Sequence, residues 1–174
     1  MEKDLLVLIV IGLLFSTLLQ SIAFTSKYTI NDDVRTALFS IDKFKDKDLF
    51  QNDLLADYQL TGAGSTKILL YFYSFINNFI DFKIITKILP IILSIIALLF
   101  FYLTVKQFLK KEIAFISAII FLLFSWSLQL FSGGLSRAFI LPLTTIFLYY
   151  FLKDSLKSLI ILIISSIFYP PLTL

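Results

Sequence analysis

Leu5 to Phe24 is a run of twenty residues without a single charge. As a helix it is long enough to cross about 30 Å of hydrocarbon, and nothing in it offers a strand or a turn an obvious place to start. Four more apolar runs follow, over 88–105, 113–131, 135–152 and 158–174. In hydrocarbon each backbone amide must be satisfied within its own segment, so such runs favour helices. The chain is therefore expected to be all-α, a polytopic transmembrane bundle of about five spans. Ser21 and Ala23 give the first run a small-x-small pattern suited to signal cleavage. Its preceding Met-Glu-Lys-Asp carries no net side-chain positive charge, which favours an uncleaved first membrane helix over 5–24.

Lysines punctuate the runs. Lys106, Lys110 and Lys111 separate the second from the third, and Lys153 and Lys157 separate the fourth from the fifth. Placing these turns and Lys3 in the cytoplasm collects six positive residues there, against Arg137 in the short opposite turn. The positive-inside rule then puts the N-terminus in the cytoplasm and residues 25–87 outside a cell membrane.

Composition narrows the chemistry. The chain is 59% apolar and 16% charged, with no Cys and no His, which removes disulfides, the usual zinc sites and histidine acid–base catalysis. A net charge of +3, carried beside apolar runs rather than in a stripe, gives no reason to expect a nucleic-acid partner. Acid–base or metal chemistry falls to Asp, Glu, Lys, Arg and Tyr.

The segment 25–87 is different in character. Seven aspartates fall between Asp32 and Asp57. Asn31 or Asp32 caps an expected helix over about 32–44, in which Val34, Leu38, Ile41 and Phe44 recur at helical spacing. Asp53 and Asp57 lie four apart and share a face if helical, where solvation is the simple expectation. From Lys67 to Asp81 the chain reads "KILLYFYSFINNFID", with Lys67, Ser74, Asn78 and Asp81 at helical spacing. It is short for a span and is expected over about 66–81 as an amphipathic helix on the outer membrane surface, led in by Gly62, Gly64 and Ser65. The last run ends "SSIFYPPLTL", where Pro170 and Pro171 are expected to stop the helix. A bundle stopping there has no closing cytoplasmic helix, so the chain is expected to be the N-terminal part of a longer protein.

Asp32 and Asp33, in "NDDVR", open the first loop helix. Carboxylates there gain about 0.3–1 kcal/mol each from the helix dipole, which is the plain reading. The functional one is a base taking a proton from a hydroxyl, or a pair of oxygen ligands for a divalent cation. Arg137, in "SGGLSRAF", begins the fourth run beside Gly133 and Gly134. It either snorkels to headgroups or grips a phosphate with its fork of donors. Tyr71, Tyr73, Tyr149, Tyr150 and Trp126 read as belt or packing aromatics.

The layout resembles the GT-C superfamily of polytopic glycosyltransferases. In that family the first membrane helix leads into a large outer loop with an acidic motif near its start, followed by surface-lying helices and a return to the bundle. "NDDVR" holds the motif's place and "KILLYFYSFINNFID" that of a surface helix. The resemblance implies transfer of a sugar from a polyprenyl-phosphate donor to an extracytoplasmic acceptor. Asp32 would match the acidic residue taken as catalytic and Asp33 its acidic neighbour. Family members carry Asp-Glu or Asp-x-Asp where this chain has Asp-Asp. The rival reading is a non-catalytic membrane subunit with an acidic docking loop. A transporter is disfavoured, because the runs hold no carboxylate at mid-depth.

Overall fold

The computed structural model describes residues 3–61 and 66–169. The lead-in glycines Gly62 and Gly64 with Ser65, and the Pro170–Pro171 stop, lie outside them. Every regular element among the described residues is helical. The α-helices are α1 (Lys3–Gln20), α2 (Asp32–Leu38), α3 (Leu54–Leu60), α4 (Lys67–Ile76), α5 (Phe82–Val105), α6 (Lys111–Ser127), α7 (Ile140–Phe151) and α8 (Lys157–Phe168). Two are long and apolar enough to cross a membrane: α1 with its 3-10 continuation to Phe24, and α5.

Central to the bundle is α5, which packs against α1, α6 and α7, while α8 packs on α7. Where α1, α5 and α6 meet, Leu8, Leu98, Tyr102, Ala114, Ala118 and Leu122 form one buried cluster. Midway along, the Ser16 and Ser94 hydroxyls lie 2.7 Å apart, and Trp126 Nε1 donates to Ser16 Oγ at 3.1 Å. Interhelical hydrogen bonds of this kind satisfy polar groups where no water is at hand. At the other end α2, α4 and the start of α5 enclose Val34, Leu38, Ile41, Leu69, Tyr73 and Phe82. Cutting one of these, Leu38→Ala for example, should cost about 2–5 kcal/mol.

Several boundaries differ from the sequence expectation, each for a local reason. The second run was expected from residue 88, but α5 starts at Phe82, capped by Asp81, whose carboxylate accepts from Lys83 N at 3.0 Å. Lys87 lies inside the helix and is buried; its ammonium donates to the carbonyls of Ser26 at 2.6 Å and Lys27 at 3.2 Å. That lysine is spent on the exit of α1 rather than marking an edge.

The third run was expected to 131, but α6 stops at Ser127. Gln129 takes a left-handed φ of 54°, with Leu130 N donating to Ser125 O at 3.2 Å and Gln129 N to Trp126 O at 2.9 Å. This is a Schellman closure on a residue other than glycine. Asp154, at φ 48°, closes α7 the same way, with Ser155 N on Tyr150 O at 3.1 Å.

The fourth run opens with a 3-10 turn, Ser136–Phe139, before α7. The loop helix expected over 32–44 is α-helical only to Leu38 and then 3-10 over Phe39–Phe44. The helix expected over 66–81 ends at Ile76, so Asn78 and Asp81 are not on its face. Asn77 ends it instead: its amide donates to Asp42 Oδ1 at 2.9 Å and its oxygen accepts from Phe82 N at 3.2 Å.

Candidate functional site

The first turn of α2 is built against the connection between α6 and α7. Asn31 caps α2, accepting from Asp33 N at 2.9 Å, and its amide donates across to Ser132 Oγ at 2.8 Å. Gly133 and Gly134 follow at φ 76° and 62°. A Cβ on Gly133 would stand 2.7 Å from Val34 Cγ2, and one on Gly134 would stand 2.9 Å from Tyr73 Oη. Both the backbone conformation and the space therefore require glycine. Tyr73 Oη donates to Gly134 O at 2.9 Å, so α4 is tied to the same turn.

On this frame Asp33 and Arg137 meet, with Asp33 Oδ2 2.6 Å from Arg137 Nη2. Both side chains remain about half exposed, at 55% and 45%. Asp32 turns the other way. Its side chain is 86% exposed and pairs with Arg35 one turn on. The structure thus brings Asp33 rather than Asp32 to Arg137.

Each arginine also lines a different depression. Arg137 borders one of about 250 Å³ with Ser127, Gln129 and Leu130. Arg35 borders one of about 410 Å³ whose walls include Tyr28, Val34, Phe39, Phe82 and Lys83.

A divalent cation is poorly served by this donor set. Consecutive residues on a helix do not face one another, and each carboxylate is engaged by an arginine. Among the described residues no group of three or more carboxylates could hold a metal ion. Asp53 and Asp57 are accounted for locally. Asp53 caps α3, accepting from Leu55 N at 2.9 Å and Ala56 N at 3.0 Å, and Asp57 pairs with Lys43 at 2.7 Å.

Two features of this end were not legible in the sequence, the bond from Tyr73 to the glycine turn and an ionic centre at Asp81. Tyr73, expected as a belt or packing aromatic, is a packing one: it is fully buried, and burial pushes its hydroxyl well above the ordinary phenol range. It acts as a neutral donor to the glycine turn. Asp81 forms a second ionic centre, 3.0 Å from Lys27 and 3.7 Å from Lys83. Partial burial pushes its carboxyl up, but the Lys83 backbone N–H and the two ammoniums outweigh that and hold it below the usual range. The hydrogen bond to Asp81 and its charge raise Lys27. The available signal was an Asp immediately before an apolar run, the pattern of a helix cap.

Compared with family models, with curated proteins and with solved structures, the chain gives no match.

Proposed function

We propose that the chain is a GT-C-like membrane glycosyltransferase module. In this reading α1, α5, α6, the turn-plus-helix Ser136–Phe151 and α8 are five spans, the N-terminus is cytoplasmic, and α2 to α4 lie on the extracytoplasmic side. Exposed Leu14, Leu18, Ile120, Phe124 and Ile163 on the outer faces of α1, α6 and α8 support a lipid surround, since a water-soluble monomer rarely shows apolar patches so extensive. Exposed Tyr71 and Phe75 on α4 suit the membrane interface.

The observation that carries the reading is the Asp33–Arg137 contact at 2.6 Å, with solvent-facing Asp32 beside it. Asp32 takes the proton of an acceptor hydroxyl, and the acceptor oxygen bonds to the anomeric carbon of the sugar. The bond from that carbon to the donor phosphate breaks, and polyprenyl phosphate leaves with the negative charge. Arg137 stabilises that charge through its donor fork, and Asp33 holds the guanidinium in place until the phosphate takes over. Preorganised donors of this kind are worth about 10²–10³ in rate. The test is sugar transfer from a polyprenyl-phosphate donor in membranes carrying the full chain. Asp32→Asn and Arg137→Ala should each cut transfer by about two orders of magnitude at normal expression; unchanged transfer removes the roles.

A second reading, a non-catalytic subunit with an acidic outer face, is favoured by one observation. Asp32 turns away from Arg137, and each is held by its own ionic partner, Arg35 and Asp33. An absence of transfer by the wild-type chain, with co-purification of an extracytoplasmic partner lost on charge reversal at Asp32, would select it.

A further inference from the structure

The two ends of the bundle treat their cations differently. Beside α2 and α4 the basic groups meet carboxylates: Lys27 with Asp81, Arg137 with Asp33, Arg35 with Asp32 and Lys43 with Asp57. At the α7–α8 turn they meet tyrosines. Lys153 Nζ donates to Tyr149 Oη at 2.7 Å, and Lys157 Nζ lies 5.3 Å from the Tyr150 ring centre. The two rings pack edge to face with centroids 5.2 Å apart, and Phe100 of α5 supports both at 5.5 and 6.2 Å. Asp154 sits in the same turn and is exposed, yet among the described residues it pairs with neither lysine.

We propose that this lysine–tyrosine platform binds the phosphate of an anionic phospholipid in the adjoining leaflet. Lys153 uses one N–H on Tyr149, which leaves two for a phosphodiester oxygen. Because Tyr149 Oη accepts that bond, its own proton points elsewhere and is a further donor. Lys157 adds a second ammonium beside the adjoining Tyr150 ring. The rings hold both cations at the level where headgroups lie, and a diester with one full negative charge supplies an anion that, among the described residues, neither ammonium has from a neighbouring carboxylate. The inference rests on α7 and α8 being membrane helices and is independent of sugar transfer.

The experiment is native mass spectrometry of the full chain in detergent with added dioleoyl phosphatidylglycerol or dioleoyl phosphatidylcholine. Phosphatidylglycerol should be retained in preference. Lys153→Gln and Lys157→Gln should each weaken its binding roughly fivefold, the worth of one lysine at a charged surface. Lys47→Gln, an exposed lysine at the opposite end, should leave it unchanged. Circular dichroism confirms folding of each variant, and Lys153→Arg supplies a charge-preserving comparison that should retain binding. Equal retention of the two lipids by the wild-type chain overturns the proposal. So does undiminished phosphatidylglycerol binding by both glutamine variants, or an equal loss from Lys47→Gln.

Discussion

Asp33 on the first turn of α2 and Arg137 before α7 lie 2.6 Å apart, which fastens the loop after α1 to the connection between α6 and α7. The contact is half exposed, so its stabilising worth is small, about 0–1 kcal/mol. Its consequence is positional. It holds the one basic group of the α6–α7 connection beside the acidic pair.

From this follows a separation of effects. Asp33→Asn and Arg137→Ala, alone and combined, should shift thermal stability little, with a coupling energy of about 0.2–1 kcal/mol in a double-mutant cycle. In the transfer assay Asp33→Asn should raise KM for the lipid-linked donor more than it lowers kcat, because it misplaces Arg137 without removing it. A kcat loss matching that of Asp32→Asn would assign Asp33 to the chemistry instead.

The glycine turn should be intolerant. Gly133→Ala meets both a positive φ of 76° and a 2.7 Å approach to Val34. The variant should lose about 1–3 kcal/mol measured by denaturant unfolding. Adding Val34→Ala should not restore wild-type stability. It relieves the crowding but leaves the backbone strain and opens a cavity.

Tyr73→Phe removes a buried hydroxyl that satisfies Gly134 O and leaves that carbonyl without it. The expected loss is about 1–3 kcal/mol, larger than for a surface tyrosine such as Tyr58→Phe. Equal effects at the two positions would mean that the turn is not held by this bond.

Acid should loosen the α1–α5 junction through Asp81. Its folded pKa is lowered from the ordinary 3.8, so its contribution is present above that value and is lost as pH falls through the lower folded one. Lys27 runs the opposite way. Raised from 10.5, its contribution holds below that value and goes only as pH rises through the higher folded one. Protection of amides near Asp81 against hydrogen exchange, taken relative to the intrinsic rate at each pH, should therefore fall below pH 3.8 in the wild-type chain. In Asp81→Asn that protection should already be reduced at neutral pH and change less on acidification.

Helical class and a cap at Asn31 or Asp32, which the structure places at Asn31, were legible in the sequence, because apolar runs and an Asn before Asp-Asp state their physics locally. The end of α6 was not. Gln129 closes that helix in the left-handed region without glycine, while the apolar run continues to Phe131. Lys87 misled in the other direction, since a lysine in an apolar run reads as a boundary until its ammonium is seen on the carbonyls of Ser26 and Lys27. Arg137 and the acidic pair could each be singled out from residue type and neighbourhood. Which carboxylate reaches the arginine depends on the rotation of α2, set by Val34 against Gly133 and by Asn31 against Ser132. That information lies in contacts between distant segments.

The central claim is that the end of the bundle bearing Asp32, Asp33 and Arg137 faces away from the cytoplasm. The chain has no cysteine, so Asp32→Cys and Lys110→Cys each introduce a single thiol at opposite ends. A membrane-impermeant maleimide applied to intact cells should label position 32 and leave position 110 unlabelled until the membrane is opened. Labelling of position 110 in intact cells, with position 32 protected, would contradict the account.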